Sequence, residues 1–119
     1  MQKNPTDSKS QILVMKFGGT SVGTPEAMSQ VAEIVMQEIP IWKGVVPIVS
    51  ALGGVTTVLL DAVQAASSGD NTIVDVTAKE LHQRHSEMLD KLIKDPQIRD
   101  MTAWEINQLI GEFTNLVQA

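Results

Sequence analysis

The chain has 119 residues, a formal net charge of −5 and no cysteine, so it is one small domain or part of a larger one, without disulfides, thiol catalysis or cysteine-held zinc. Apolar residues make up 43% and charged residues 19%, ordinary globular proportions, while the acidic balance argues against a nucleic-acid binder, whose affinity rests on Lys and Arg neutralising phosphates. No apolar run approaches the ~18 residues of a membrane span, and the polar opening MQKNPTDSKS lacks the apolar middle of a secretion signal; no membrane and a cytoplasmic location are expected.

Residues 1–10 read as a flexible leader. The run Ile12-Leu13-Val14-Met15, closed by Lys16-Phe17-Gly18-Gly19, reads as a strand buried on both faces, the parallel-sheet kind. Thr24-Pro25-Glu26 opens a helix with a hydroxyl cap, proline at its first position and an acid in its first turn. Met28, Val31, Ala32, Val35, Met36 and Ile39 recur at helical spacing up to Pro40. A second strand, Val45 to Val49, ends at Ser50-Ala51-Leu52-Gly53-Gly54, with Pro47 awkward because it cannot donate to a ladder. Val55 to Ala66 reads as a helix with Val55, Leu59, Ala62, Val63 and Ala66 on one face and Gly69 as its stop. This βαβα order implies a parallel sheet.

Beyond residue 71 the pattern is helical. Asn71 to Lys94 carries Val74, Ala78, Leu81, His85, Met88, Leu89 and Leu92 at helical period, and Asp95-Pro96 breaks it. Thr102 to Val117 follows, with Ile106, Leu109, Ile110, Phe113, Leu116 and Val117 expected inward and Trp104 expected to pack. Two strands and four helices do not make a self-sufficient α/β sandwich, so the chain is expected either to associate or to be the front part of a longer protein, the latter being favoured.

Both strands end in Gly-Gly with hydroxyls close by, at the carboxyl ends where open parallel sheets bind ligands. Glycine lets backbone amides approach an anion, and Lys16 adds a charge whose burial without an anionic partner would be costly. The physical reading is an anion cleft, and a phosphate site before others, built by two adjacent turns. It is not a Walker loop, because Thr24-Pro25 stand where Lys-Ser/Thr is needed, and no Gly-X-Gly-X-X-Gly is present.

Lys16-Phe17-Gly18-Gly19-Thr20-Ser21-Val22-Gly23 resembles the N-terminal signature of aspartokinases, in the amino acid kinase family. Val49-Ser50-Ala51-Leu52-Gly53-Gly54-Val55-Thr56 resembles the family's next motif, with Leu52 where methionine is frequent. The likeness covers residues 12–119, the two helices after residue 71 resembling the helical segment that follows in aspartokinases. It implies the N-terminal portion of an amino acid kinase domain over residues 11–119: a three-layer α/β/α fold with a mainly parallel sheet, here a βαβα phosphate and substrate unit (11–70) and a helical hairpin (71–119). The implied activity is ATP-dependent phosphorylation of the L-aspartate side-chain carboxylate, the first step toward lysine, threonine and methionine, with Mg²⁺ bridging the ATP phosphates. Lys16 would be catalytic; Lys16, Phe17, Gly18 and Gly19 would bind ATP; Ser50, Ala51 and Thr56 would bind aspartate. Thr20 and Ser21 would touch phosphate or stand behind it. The family's later acidic, arginine-containing and regulatory segments have no counterpart, so the piece alone is expected to be inactive, and the parent a homo-oligomer.

Two further readings compete: the same fold with another amino acid or a carbamate as acceptor, and a non-catalytic helical self-association module. His82 and His85, three apart on one helix, could share a metal, but no third ligand cluster accompanies them, so no metal site is assigned. Asp61 reads as a surface charge, and Asp90, Asp95 and Asp100 as capping or solvated acids.

Overall fold

A computed structural model of the chain describes residues 5–119; the start of the expected leader, residues 1–4, lies outside the described residues. Pro5–Ser8 make one helical turn (α1). The carbonyls of Ser8 and Gln11 both accept the amide of Lys43, at 3.2 and 3.0 Å. The chain divides into two compact units between Gly53 and Gly54.

The first unit holds β1 (Ile12–Phe17), α2 (Pro25–Glu38) and β2 (Gly44–Val49), with the strands paired in parallel. α2 begins as its sequence dictates. Thr24 sits in extended backbone and its hydroxyl accepts the Ala27 amide at 3.1 Å, while Pro25 fills the first helical position. Pro47 proves harmless. Ser50 N–H donates to the Phe17 carbonyl at 3.1 Å, and since alternate strand residues turn their amides to opposite edges, the Pro47 nitrogen faces away from β1.

The expectation of strands covered on both faces fails. Leu13, Met15 and Phe17 are half-buried, whereas Ile12 and Val14 remain 60% and 59% exposed and Lys16 is exposed with them. Val46 and Ile48, the register partners of Val14 and Lys16, are exposed too, and so are Pro47 and Val49, opposite Met15 and Phe17. A single helix, α2, packs on this sheet within the unit, and it leaves one face bare and the other only partly covered. Met36 and Ile39, at the end of the α2 stripe, are exposed for the same reason.

The second unit is α3 (Val55–Ser67), α4 (Thr72–Leu92) and α5 (Pro96–Gln118). α3, which the sequence groups with the strands, packs on α4 and α5. Glycines in left-handed backbone bracket it, Gly54 at φ 84° and Gly69 at φ 89°, a conformation costly for any residue with a Cβ. Val55 and Ala62 are buried, but Val63 points outward, because the buried arc runs through Val55, Leu59, Ala62 and Ala66 without it. α4 and α5 form an antiparallel hairpin whose open end is closed by Gln118 Nε2 donating to Asp75 Oδ1 at 3.1 Å. Val74, Thr77, Leu81, Met88, Leu89 and Ile110 form its core.

α5 starts six residues earlier than its apolar period suggests. Asp95 caps it, its Oδ1 accepting the amides of Gln97 (2.9 Å) and Ile98 (3.3 Å), with Pro96 as first helical residue; the break after α4 is therefore also a start. Leu109 and Leu116, expected inward, are 64% and 79% exposed, and Trp104, expected to pack, is 63% exposed. The buried arc of α5 passes through Ile106, Ile110, Phe113 and Val117, and these three residues fall beside it. Among the described residues no helix is long and apolar enough to cross a membrane.

Candidate functional site

The carboxyl ends of β1 and β2 lead into two turns that meet backbone to backbone. A Cβ on Gly19 would stand 3.3 Å from the Ala51 carbonyl oxygen, 3.4 Å from Gly53 Cα and 3.4 Å from Ser50 Oγ. One on Gly53 would stand 3.2 Å from the Gly19 oxygen, and one on Gly23 would stand 3.1 Å from that same oxygen. A side chain at Gly19 or Gly53 would press on the opposite turn, and one at Gly23 would press on the Gly19 carbonyl within its own turn. Gly18 differs, with nothing within 4 Å of such a Cβ. The sequence points to the doubled Gly-Gly turns, yet it does not single out Gly23 or Gly53; only the mutual approach of Gly19, Gly23 and Gly53 does so.

Within the first turn Ser21 N–H donates to the Gly18 carbonyl (3.1 Å) and Gly23 N–H to the Thr20 carbonyl (3.4 Å). Among the described residues the amides of Gly18, Gly19 and Thr20 have no acceptor. Successive backbone amides left without acceptors are the kind of donor an anion-binding concavity uses. In the second turn Ser50 Oγ donates to the Ala51 carbonyl at 2.9 Å, which leaves the oxygen's lone pairs for an incoming donor.

Lys16 is the residue before last of β1, opposite Ile48 in register. Lys43, the other cation flanking the two strands, precedes β2 at the opposite end of the sheet. Among the described cations of the first unit, Lys16 is therefore the one at the carboxyl ends of the strands. Its side chain is exposed, which removes the argument that a buried charge demands an anionic partner; the case for Lys16 rests on position alone. Alternation along the strand sends Lys16 and Phe17 to opposite faces. Phe17, Thr20 and Ser21 line a cavity of about 360 Å³ with Ala27, Gln30, Val31 and Ile34 of α2. Four of the expected ATP and phosphate residues, Phe17, Gly19, Thr20 and Ser21, thus gather around the first turn, with Ser50 and Ala51 against Gly19. Thr56 lies in the first turn of α3, exposed, in the second unit.

No protein-family model matches the chain. Curated proteins do, and they define a class: over this stretch the sequence is aspartokinase-like, at 32% to 45% identity. An aspartokinase of Geobacillus stearothermophilus is 33% identical over 86 residues, covering 61% of this chain and 21% of its own length. The aspartate kinase Ask_LysC of Stutzerimonas stutzeri is 45% identical over 56 residues, 47% of this chain and 14% of its own. The chloroplastic bifunctional aspartokinase/homoserine dehydrogenase 2 of Zea mays is 32% identical over 103 residues, 87% of this chain and 10% of its own. The chain spans between a tenth and about a fifth of the length of the curated relatives it matches.

Proposed function

We propose that this chain is the N-terminal part of an amino-acid-kinase-type domain, a three-layer α/β/α fold with a mainly parallel sheet, in an aspartate kinase. The reaction is transfer of the ATP γ-phosphoryl group to the side-chain carboxylate of L-aspartate, giving 4-phospho-L-aspartate, at the entry to lysine, threonine and methionine synthesis. The observation that carries this reading is the mutual contact of the two glycine turns at the strand ends beside Lys16. The aspartokinase-like sequence of the chain supplies the acceptor.

The residues suit the chemistry. A carboxylate acceptor is ionised at neutral pH, so the step needs no general base; it needs two anions held in line and the moving charge stabilised. The amides of Gly18, Gly19 and Thr20 donate to phosphate oxygens, Lys16 offsets charge on the transferring group, and Ser21 and Phe17 border the same turn. Ser50, Ala51 and Thr56 are assigned to aspartate, hydroxyls orienting a carboxylate or ammonium without adding a competing charge. Mg²⁺ is assigned to the nucleotide, where it would bridge the phosphates. The exposed apolar residues of α5 support a homo-oligomer.

The test is an aspartyl hydroxamate assay with ATP on the longest protein in which this sequence occurs, beside the 119-residue chain. The long protein should form hydroxamate with L-aspartate and the short one should not turn over. Turnover with a different amino acid or with carbamate, and none with aspartate, would overturn the acceptor assignment.

A further inference from the structure

We infer, on the assignment of Thr56 to the aspartate acceptor, that Arg84 of α4 is a positioning residue for that acceptor: it fixes the start of α3, and Thr56 with it. Gly54, Thr56 and Arg84 all lie in the second unit.

The sequence of α3 does little to hold its own first turn. The N-cap is Gly54, in left-handed backbone, and it has no side chain to accept an amide as Thr24 does for α2 and Asp95 for α5. No acid stands in the first turn, so the usual complement to the helix dipole is missing as well. A start with neither device depends on what is set against it.

Arg84 is set against it. A Cβ on Gly54 would lie 3.7 Å from Arg84 Nη1, and no other atom outside the local chain comes within 4 Å. The guanidinium therefore reaches the bare glycine itself. Arg84 follows the buried Leu81 by three residues and precedes the buried Met88 by four, which puts the three on one face of α4, and α3 packs on α4. The residue is half-buried, as suits a long apolar stem that covers surface and a planar head that holds one orientation. The Gly54 carbonyl accepts the Val58 amide at 3.2 Å, so a shift at Gly54 is carried into the first turn, where Thr56 stands. The head also adds positive charge beside a helix end that is itself positive, the sign that draws a substrate with two carboxylates and one ammonium. Arg84 acts through Thr56 and not on the reacting atoms.

The test uses the longest protein in which this sequence occurs, with Arg84→Met, which keeps an apolar stem, and Arg84→Gln should the first variant fail to fold. Initial rates give kcat and the KM of each substrate. Either variant should raise the aspartate KM by about tenfold or more while kcat and the ATP KM stay within about threefold, the signature of lost substrate binding. In a Thr56→Val background Arg84→Met should add less than about threefold, because two residues acting as one unit are not additive. A full further rise in that background would overturn the positioning role. So would an aspartate KM left unchanged by both single variants, or equal losses for aspartate and ATP, which mark general destabilisation. If the protein phosphorylates a different acceptor, the acceptor assignment fails, and Arg84 is judged by the same KM split measured with that acceptor.

Discussion

The two units differ in what meets at their close contacts. In the first, the strand-end turns approach each other at residues without side chains, Gly19, Gly23 and Gly53, whose backbones occupy the space a Cβ would need, beside the buried Val22 and Leu52 of the same turns. In the second, the close packing is among side chains, Val74, Leu81, Met88 and Leu89 of α4 against Ile110 of α5 and against α3. The difference teaches where function can be placed. Backbone groups held by backbone contact sit at positions that do not depend on side-chain rotamers, and the amides of Gly18, Gly19 and Thr20 beside that contact have no acceptor among the described residues. A side-chain core spends its groups on burial.

The largest effect should come from Lys16→Ala in the complete enzyme: a fall in kcat on the order of a hundred- to a thousandfold, the scale of removing one charge-stabilising group, with an unchanged circular dichroism spectrum because the side chain is exposed. Near-normal turnover would remove Lys16 from the mechanism and leave the backbone amides as the site. In the helical unit Leu81→Ala should cost about 2–5 kcal/mol by urea unfolding, as a nearly buried leucine truncated in a side-chain core. Gly19→Ala and Gly53→Ala should each cost about 1–3 kcal/mol, the range for forcing a methyl group into filled space, while Gly18→Ala, with open space around it, should stay within about 0.5 kcal/mol. Equal effects at Gly18 and Gly19 would mean that the turns do not meet as described.

Much of this contrast was legible in the residues, and what escaped has physical causes. The strands, their parallel pairing and the α2 cap were readable because Thr24-Pro25 and the apolar runs act locally. The burial of those strands was not: Ile12 and Val14 have the composition of a doubly covered strand, but coverage depends on what packs against them, which no local pattern encodes. The same limit explains Lys16, whose exposure follows that of its face. On α5, period alone sent Leu109 and Leu116 inward, although its apolar residues occupy a wider arc than its neighbours cover. At the site, paired glycines showed that two turns exist, and their contact depends on the β1–β2 register. Thr56 rests on its motif.

The smallest effects sharpen the reading of α5. Asp95→Ala removes the acceptor of the Gln97 and Ile98 amides and should cost about 1 kcal/mol, the usual worth of a helix cap, detectable as faster amide exchange confined to the first turn. Leu116→Ala, at a residue 79% exposed, should change stability by less than about 0.5 kcal/mol, as surface substitutions do, in contrast to Leu81→Ala one helix away. The pair separates two meanings of an exposed leucine. If Leu116→Ala leaves stability unchanged yet alters the sedimentation of the chain, the outer stripe of α5 serves association. If it destabilises the monomer as Leu81→Ala does, the stripe belongs to the core after all, and the helical period was right about its direction where the structure disagreed.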